Sequence, residues 1–137
     1  MVSGKPSVEA QASHNKIRVL TVDDSKTIQV MLRKALESAG YEVIQGGDGV
    51  EGLEALRASS SPPNAIITDI NMPRMDGFEF IEAVRKIPEY RHIPMLCLTT
   101  ESDPEKKLRA KKAGATGWIV KPFNAESLIA AIRRVTD

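Results

Sequence analysis

Five short apolar runs, alternating with segments of helical period, constrain this chain more than any other feature. The runs span residues 17–22, 41–45, 65–69, 95–99 and 117–120, each four to six residues long. Runs of that length suit strands buried on both faces of a sheet. Between the first and second, Ile28, Met31, Leu32, Ala35, Leu36 and Ala39 recur at spacings of three and four and stop at Gly40, which marks a helix with one apolar stripe. Asp48 is placed to cap the next helix, with Val50, Leu53 and Leu56 inward, and the loop at 59–64 breaks it. Asp76 caps a third, with Phe78, Ile81 and Val84 inward and Pro88 closing it. The fourth starts at Asp103-Pro104, with proline at its first position, and ends at Gly114. Its stripe is thin: Leu108, Ala110 and Ala113. Asn124 caps the last, with Leu128, Ala131, Ile132 and Val135 inward.

Strands alternating with helices specify an α/β domain with a parallel sheet. Right-handed crossovers make it doubly wound. The domain is expected over 17–137, preceded by a flexible tail at 1–16 that lacks a hydrophobic stretch. A chain of 137 residues buries one ordinary core. A net charge of +1 gives no electrostatic reason to expect nucleic acid or an acidic membrane surface. The single cysteine, Cys97, excludes an intramolecular disulfide and reads as a buried, inert thiol. With no apolar run approaching the ~20 residues of a membrane span, a cytoplasmic location is expected. His14 in the tail and His92 beside Arg91 read as solvated.

Ligands of a doubly wound sheet bind at the carboxyl ends of its strands. Those ends carry Asp23 and Asp24 after the first run, Asp69 after the third, Thr99 after the fourth and Lys121 after the fifth. On its own the Asp23-Asp24 pair reads as a charge complement to a helix N-terminus, with Ser25 as cap. Gathered at one edge with Asp69, three carboxylates repel one another and call for a cation. Mg²⁺, which takes oxygen ligands and keeps several waters, answers that need. Asp69 could simply open a turn, or could act as a nucleophile accepting a phosphoryl group. Lys121 can pair with Asp69 and then with a phosphoryl oxygen, and Thr99 offers a hydroxyl to another.

The Asp23-Asp24 pair, the stretch DINMPRMDG at 69–77, LTT at 98–100 and KPF at 121–123 resemble response-regulator receiver domains. The similarity is strongest to the stand-alone chemotaxis type, CheY-like. It covers residues 17 to about 135, and the order and spacing of the motifs carry it. It implies a flavodoxin-like sheet of strand order 2-1-3-4-5 and a phosphoacceptor at Asp69, charged by a histidine kinase. It further implies Mg²⁺ on Asp24, Asp69 and the backbone carbonyl of Asn71, with Asp23 assisting through water. Thr99 would be the switch hydroxyl, and Lys121 the residue that pairs with the phosphate. Asn71 and Glu101 would tune dephosphorylation. Trp118 stands where the family places a tyrosine or phenylalanine switch, a departure that bears on whether the ring can rotate. The resemblance implies a monomer whose fourth helix, fifth strand and fifth helix bind a target such as a flagellar motor switch, with a phosphatase as a further partner. Its own chemistry would be self-phosphorylation from a donor and slow dephosphorylation.

Other readings share parts of this pattern. A phosphorelay intermediate or phosphate sink would carry the same site. An Asp-nucleophile phosphatase of the haloacid-dehalogenase sort would place Asp-x-Asp after its first strand, whereas Asp69-Ile70-Asn71 follows the third. A flavodoxin-like cofactor carrier needs hydroxyl and glycine donors where Asp23 and Asp24 stand. The basic run Lys106, Lys107, Arg109, Lys111 and Lys112 follows acids at the helix start, as the helix dipole favours, and could also face a partner.

Overall fold

The computed structural model describes residues 16–137; the expected tail before Lys16, with His14, lies outside the described residues. The chain runs β1 (Arg18–Val22), α1 (Lys26–Ser38), β2 (Glu42–Gly46), α2 (Gly49–Ala58), β3 (Ala65–Thr68) and α3 (Gly77–Lys86). A 3₁₀ turn (Pro88–Tyr90) leads to β4 (Met95–Thr99), α4 (Pro104–Ala113), β5 (Gly117–Val120) and α5 (Ala125–Thr136). The five strands are parallel and lie in the order β2-β1-β3-β4-β5. The sheet therefore reverses its winding between β1 and β3, and the carboxyl ends of those strands flank that point.

Strand periodicity sorts side chains between two cores. Leu20, Ile66, Met95 and Cys97 face α2, α3 and α4, where they meet Leu56, Phe80, Ile81 and Ala110. Val19, Ile67, Leu96 and Leu98 face α1 and α5, where they meet Leu32, Leu36, Leu128 and Ile132. Burial on both faces explains why the strands read as continuous apolar runs rather than as alternation.

Every helix start carries its expected cap. Ser25, Asp48, Asp76, Asp103 and Asn124 each accept a backbone N–H of the first turn, and Asp76 forms a full capping box with Glu79. Two stripe residues depart from expectation: Met31 is 45% exposed and Leu108 is 51% exposed. On α4 only Ala110 is buried. With one buried side chain, helped by partly buried Ala113, α4 is the least anchored helix and Leu108 stays in solvent. Among the described residues no helix is long and apolar enough to cross a membrane.

Candidate functional site

Asp23 follows β1 directly, and its backbone is pinned there because its N–H donates to Gly46 O at 3.1 Å. The Gln29 side-chain amide reinforces the same corner, donating to Gly46 O at 2.8 Å and to Asp23 O at 3.2 Å. Asp69 leaves β3 in the same way, its N–H donating to Val22 O at 2.8 Å. One of its carboxylate oxygens accepts from Ile70 N at 2.7 Å, so the side chain is held by its own loop. Gly77 lets α3 start against this turn. A Cβ there would lie 2.2 Å from Asp69 O and 2.7 Å from Ile70 Cα, both backbone atoms that cannot step aside.

Lys121 reaches the same point directly from the end of β5, and the Lys121-Pro122 bond that follows it is cis. Its Nζ lies 2.8 Å from Asp23 Oδ2 and 3.3 Å from Asp69 Oδ2. The ammonium thus bridges both carboxylates, and it sits closer to Asp23 than to the Asp69 partner expected from sequence. Asp24 completes the group: Asp23, Asp24 and Asp69 each offer an oxygen, all within 4.8 Å of one another. Asp23 and Asp69 are buried, and Asp24 is exposed. A groove leads away from Asp23 and Asp24 between α1 and the end of β2, so the site opens to solvent on its Asp24 side.

Electrostatics explain what such a group lacks. Burial pushes the Asp23 carboxyl above its ordinary range, although Lys121 and the Ser25 N–H pull it down. Burial works against the Lys121 ammonium, yet Asp23 and Asp69 outweigh it and its pKa is raised. One ammonium among three carboxylates leaves excess negative charge in a partly buried place. The donors are all carboxylate oxygens, with no nitrogen or sulfur, which fits a hard divalent cation such as Mg²⁺. Cys97 is buried beneath the site and its thiol is pushed up to about 12, first by burial and then by Asp69. An inert thiol follows.

Thr99 is fully buried at the end of β4, its Oγ1 accepting from Glu101 N at 3.2 Å, and its carbonyl receives Lys121 N at 2.8 Å. Its hydroxyl makes no hydrogen bond to Asp69 among the described residues. Asn71 is exposed in the β3–α3 loop directly after the site. The Glu101 carboxylate is already engaged, with Lys106 Nζ at 2.9 Å and Asp103 N at 3.2 Å. Trp118 is partly buried and packs on the α2–α4 side of the sheet. Its indole N–H is buried without a partner, so the ring is not the solvent-facing side chain a simple rotating switch would present. Gln29 had no sequence signal, being one polar residue in a helix stripe.

A family model of the response regulator receiver domain matches residues 19–133, and the chain belongs to that family. Within it, the chain is similar to chemotaxis proteins. The structure of CheY4 of Vibrio cholerae superposes with a TM-score of 0.83 at 48% identity, covering 88% of this chain and 98% of that one. A probable chemotaxis protein CheY of Rhizobium etli is 37% identical over 121 residues, 88% of this chain and 92% of that protein. The sensor histidine kinase CheAY of Helicobacter pylori is 31% identical over 134 residues. There the match covers 98% of this chain but only 17% of the kinase.

Proposed function

We propose that this receiver domain is a phosphoacceptor switch of a two-component system, with Asp69 as the residue that takes the phosphoryl group from a histidine kinase. The carrying observation is the bridge from Lys121 to Asp23 and Asp69, with Asp24 within reach at the open side. Asp24, Asp69 and the backbone carbonyl of Asn71 would hold Mg²⁺, with Asp23 behind them. When bound, the ion would neutralise the carboxylates and the charge on the transferring group. A carboxylate oxygen of Asp69 attacks phosphorus, the bond to the donor imidazole breaks, and the imidazole nitrogen keeps the electron pair and takes up a proton. Lys121 moves its ammonium from Asp69 to a phosphoryl oxygen, a charge-assisted bond that holds the product. Thr99, fixed at the end of β4, turns its hydroxyl toward another. Ile70 N–H keeps the carboxylate oriented throughout.

Transfer alters a face built from α4, β5 and α5, where the thinly anchored α4 moves at low cost. Glu101, released from Lys106, and Asn71 would set how fast water removes the phosphate. The domain performs no multiple-turnover reaction on other substrates. Similarity to CheY proteins over nearly their whole length supports chemotaxis, with a flagellar motor switch as the target, in the cytoplasm. The test is intact-mass measurement after acetyl phosphate and Mg²⁺. One phosphate adduct on the wild type and none on Asp69→Asn is expected; an adduct on both would refute the assignment. Retention by an immobilised motor-switch protein, with and without beryllofluoride, tests the target. Equal retention would remove it.

A further inference from the structure

The loop between β3 and α3 carries Asn71, yet it belongs to neither element. Within it Arg74 adopts a φ of +64°, a conformation uncommon for a residue with a side chain. Met75 N–H donates to Pro73 O at 2.6 Å, closing a tight three-residue turn about Arg74, a rare and strained form. Strain of this kind persists where surrounding contacts over-determine it.

Those contacts come from the start of α2. Arg74 Nε lies 2.7 Å from Asp48 Oδ2 and Nη2 lies 3.2 Å from Asp48 Oδ1, a two-bond fork that fixes orientation as well as distance. Asp48 is 4% exposed, and one of its oxygens also caps α2 through Glu51 N at 2.9 Å. The Arg74 guanidinium holds the Asp48 carboxyl below its usual range. A second tie runs beside the first, Gly49 N–H donating to Met75 O at 3.3 Å.

We propose that Arg74 and Asp48 form a clamp that locks the β3–α3 loop, making Arg74 a positioning residue for Mg²⁺ binding beside Asp69. This rests on the phosphoacceptor reading of the site. The loop has no sheet partner, so the start of α2, distant in sequence, supplies the rigidity a ligating backbone carbonyl requires. Supporting groups outside the ligands commonly change metal affinity by 10–100-fold. Here the effect is expected to be smaller, roughly three- to tenfold, because Arg74 is half-exposed and its pair is screened.

Two variants separate positioning from charge. Asp48→Asn keeps an oxygen to cap α2 while losing the fork, and Arg74→Asn tolerates the left-handed backbone while losing both reach and charge. Electrostatics alone predicts opposite signs: removing a cation tightens Mg²⁺ and removing an anion weakens it. The clamp predicts that both variants bind Mg²⁺ more weakly by calorimetric titration. It also predicts faster amide exchange at Gly49 and Met75, whose N–H groups are hydrogen-bonded in the loop and its tie to α2, in both variants, with a double variant little worse than either single one. Opposite signs, or unchanged affinity and exchange, would overturn the clamp. A wild type that binds no Mg²⁺ at all would instead overturn the metal site on which it rests.

Discussion

Replacing Lys121 with methionine removes the cation from the bridge while keeping most of its volume. Asp23, 2% exposed on its side chain, then loses an ion pair of 2.8 Å, and Asp69 loses one of 3.3 Å. Taking one partner from a buried pair costs about 3–5 kcal/mol. The low end, about 3 kcal/mol, applies because Asp24 leaves the site open to water. The loss should depend on pH. Burial already holds Asp23 above its usual range, so its contribution to stability is most favourable below the unfolded value near ~4 and declines as pH rises through the folded one. Without Lys121 the folded value climbs further, and the deficit deepens toward neutrality. Urea unfolding should therefore show a smaller loss at about pH 5 than at about pH 7.5. Mg²⁺ should bind more tightly, because Lys121 competes for the same oxygens. At ~4 Å, with an effective dielectric between that of a protein surface and that of water, one unit charge against another contributes about 1–4 kcal/mol, so a gain of at least about fivefold is expected. A pH-independent loss together with unchanged Mg²⁺ affinity would refute the reasoning.

Gly77→Ala forces a Cβ to within 2.2 Å of Asp69 O; a loss of about 1–3 kcal/mol from overpacking is expected in urea unfolding, and wild-type stability would show that the turn can yield. Asp24→Asn removes the exposed carboxylate of the group and should weaken Mg²⁺ binding by about tenfold, read by titration. Trp118 fluorescence should change on adding beryllofluoride with Mg²⁺, and Thr99→Ala should suppress most of the change, since the ligand shifts the ring only through its differential affinity for the two states, which the Thr99 hydroxyl supplies. Equal responses in both proteins would show that the indole, already packed with its N–H buried, senses the phosphate by another route.

The strands and caps were legible because each rests on local physics. Continuous apolar runs require a sheet covered on both faces, and Ser25, Asp48, Asp76, Asp103 and Asn124 stand where first-turn N–H groups lack partners. The meeting of Asp23, Asp24, Asp69 and Lys121 was legible for the same reason, since parallel strands place their ends at one edge. Relations between distant side chains were not. Nothing local says that Arg74 turns back to Asp48 or that Gln29 ties β1 to β2. Nor does a periodic pattern reveal that α4 rests on Ala110 and leaves Leu108 in solvent. Lys121 does pair with Asp69 as expected; what the sequence did not show is its second and closer partner, the more deeply buried Asp23.

The proposed chemistry attaches the phosphoryl group to a single carboxylate, that of Asp69. After treatment with acetyl phosphate and Mg²⁺, borohydride reduces an acyl phosphate to an alcohol, which leaves homoserine in place of aspartate. Fragment mass spectrometry then reads the position. Conversion at residue 69, lost when Mg²⁺ is chelated before the donor is added, is the predicted result. Conversion at Asp23 or Asp24 instead, or none under conditions where the protein is folded, would contradict it.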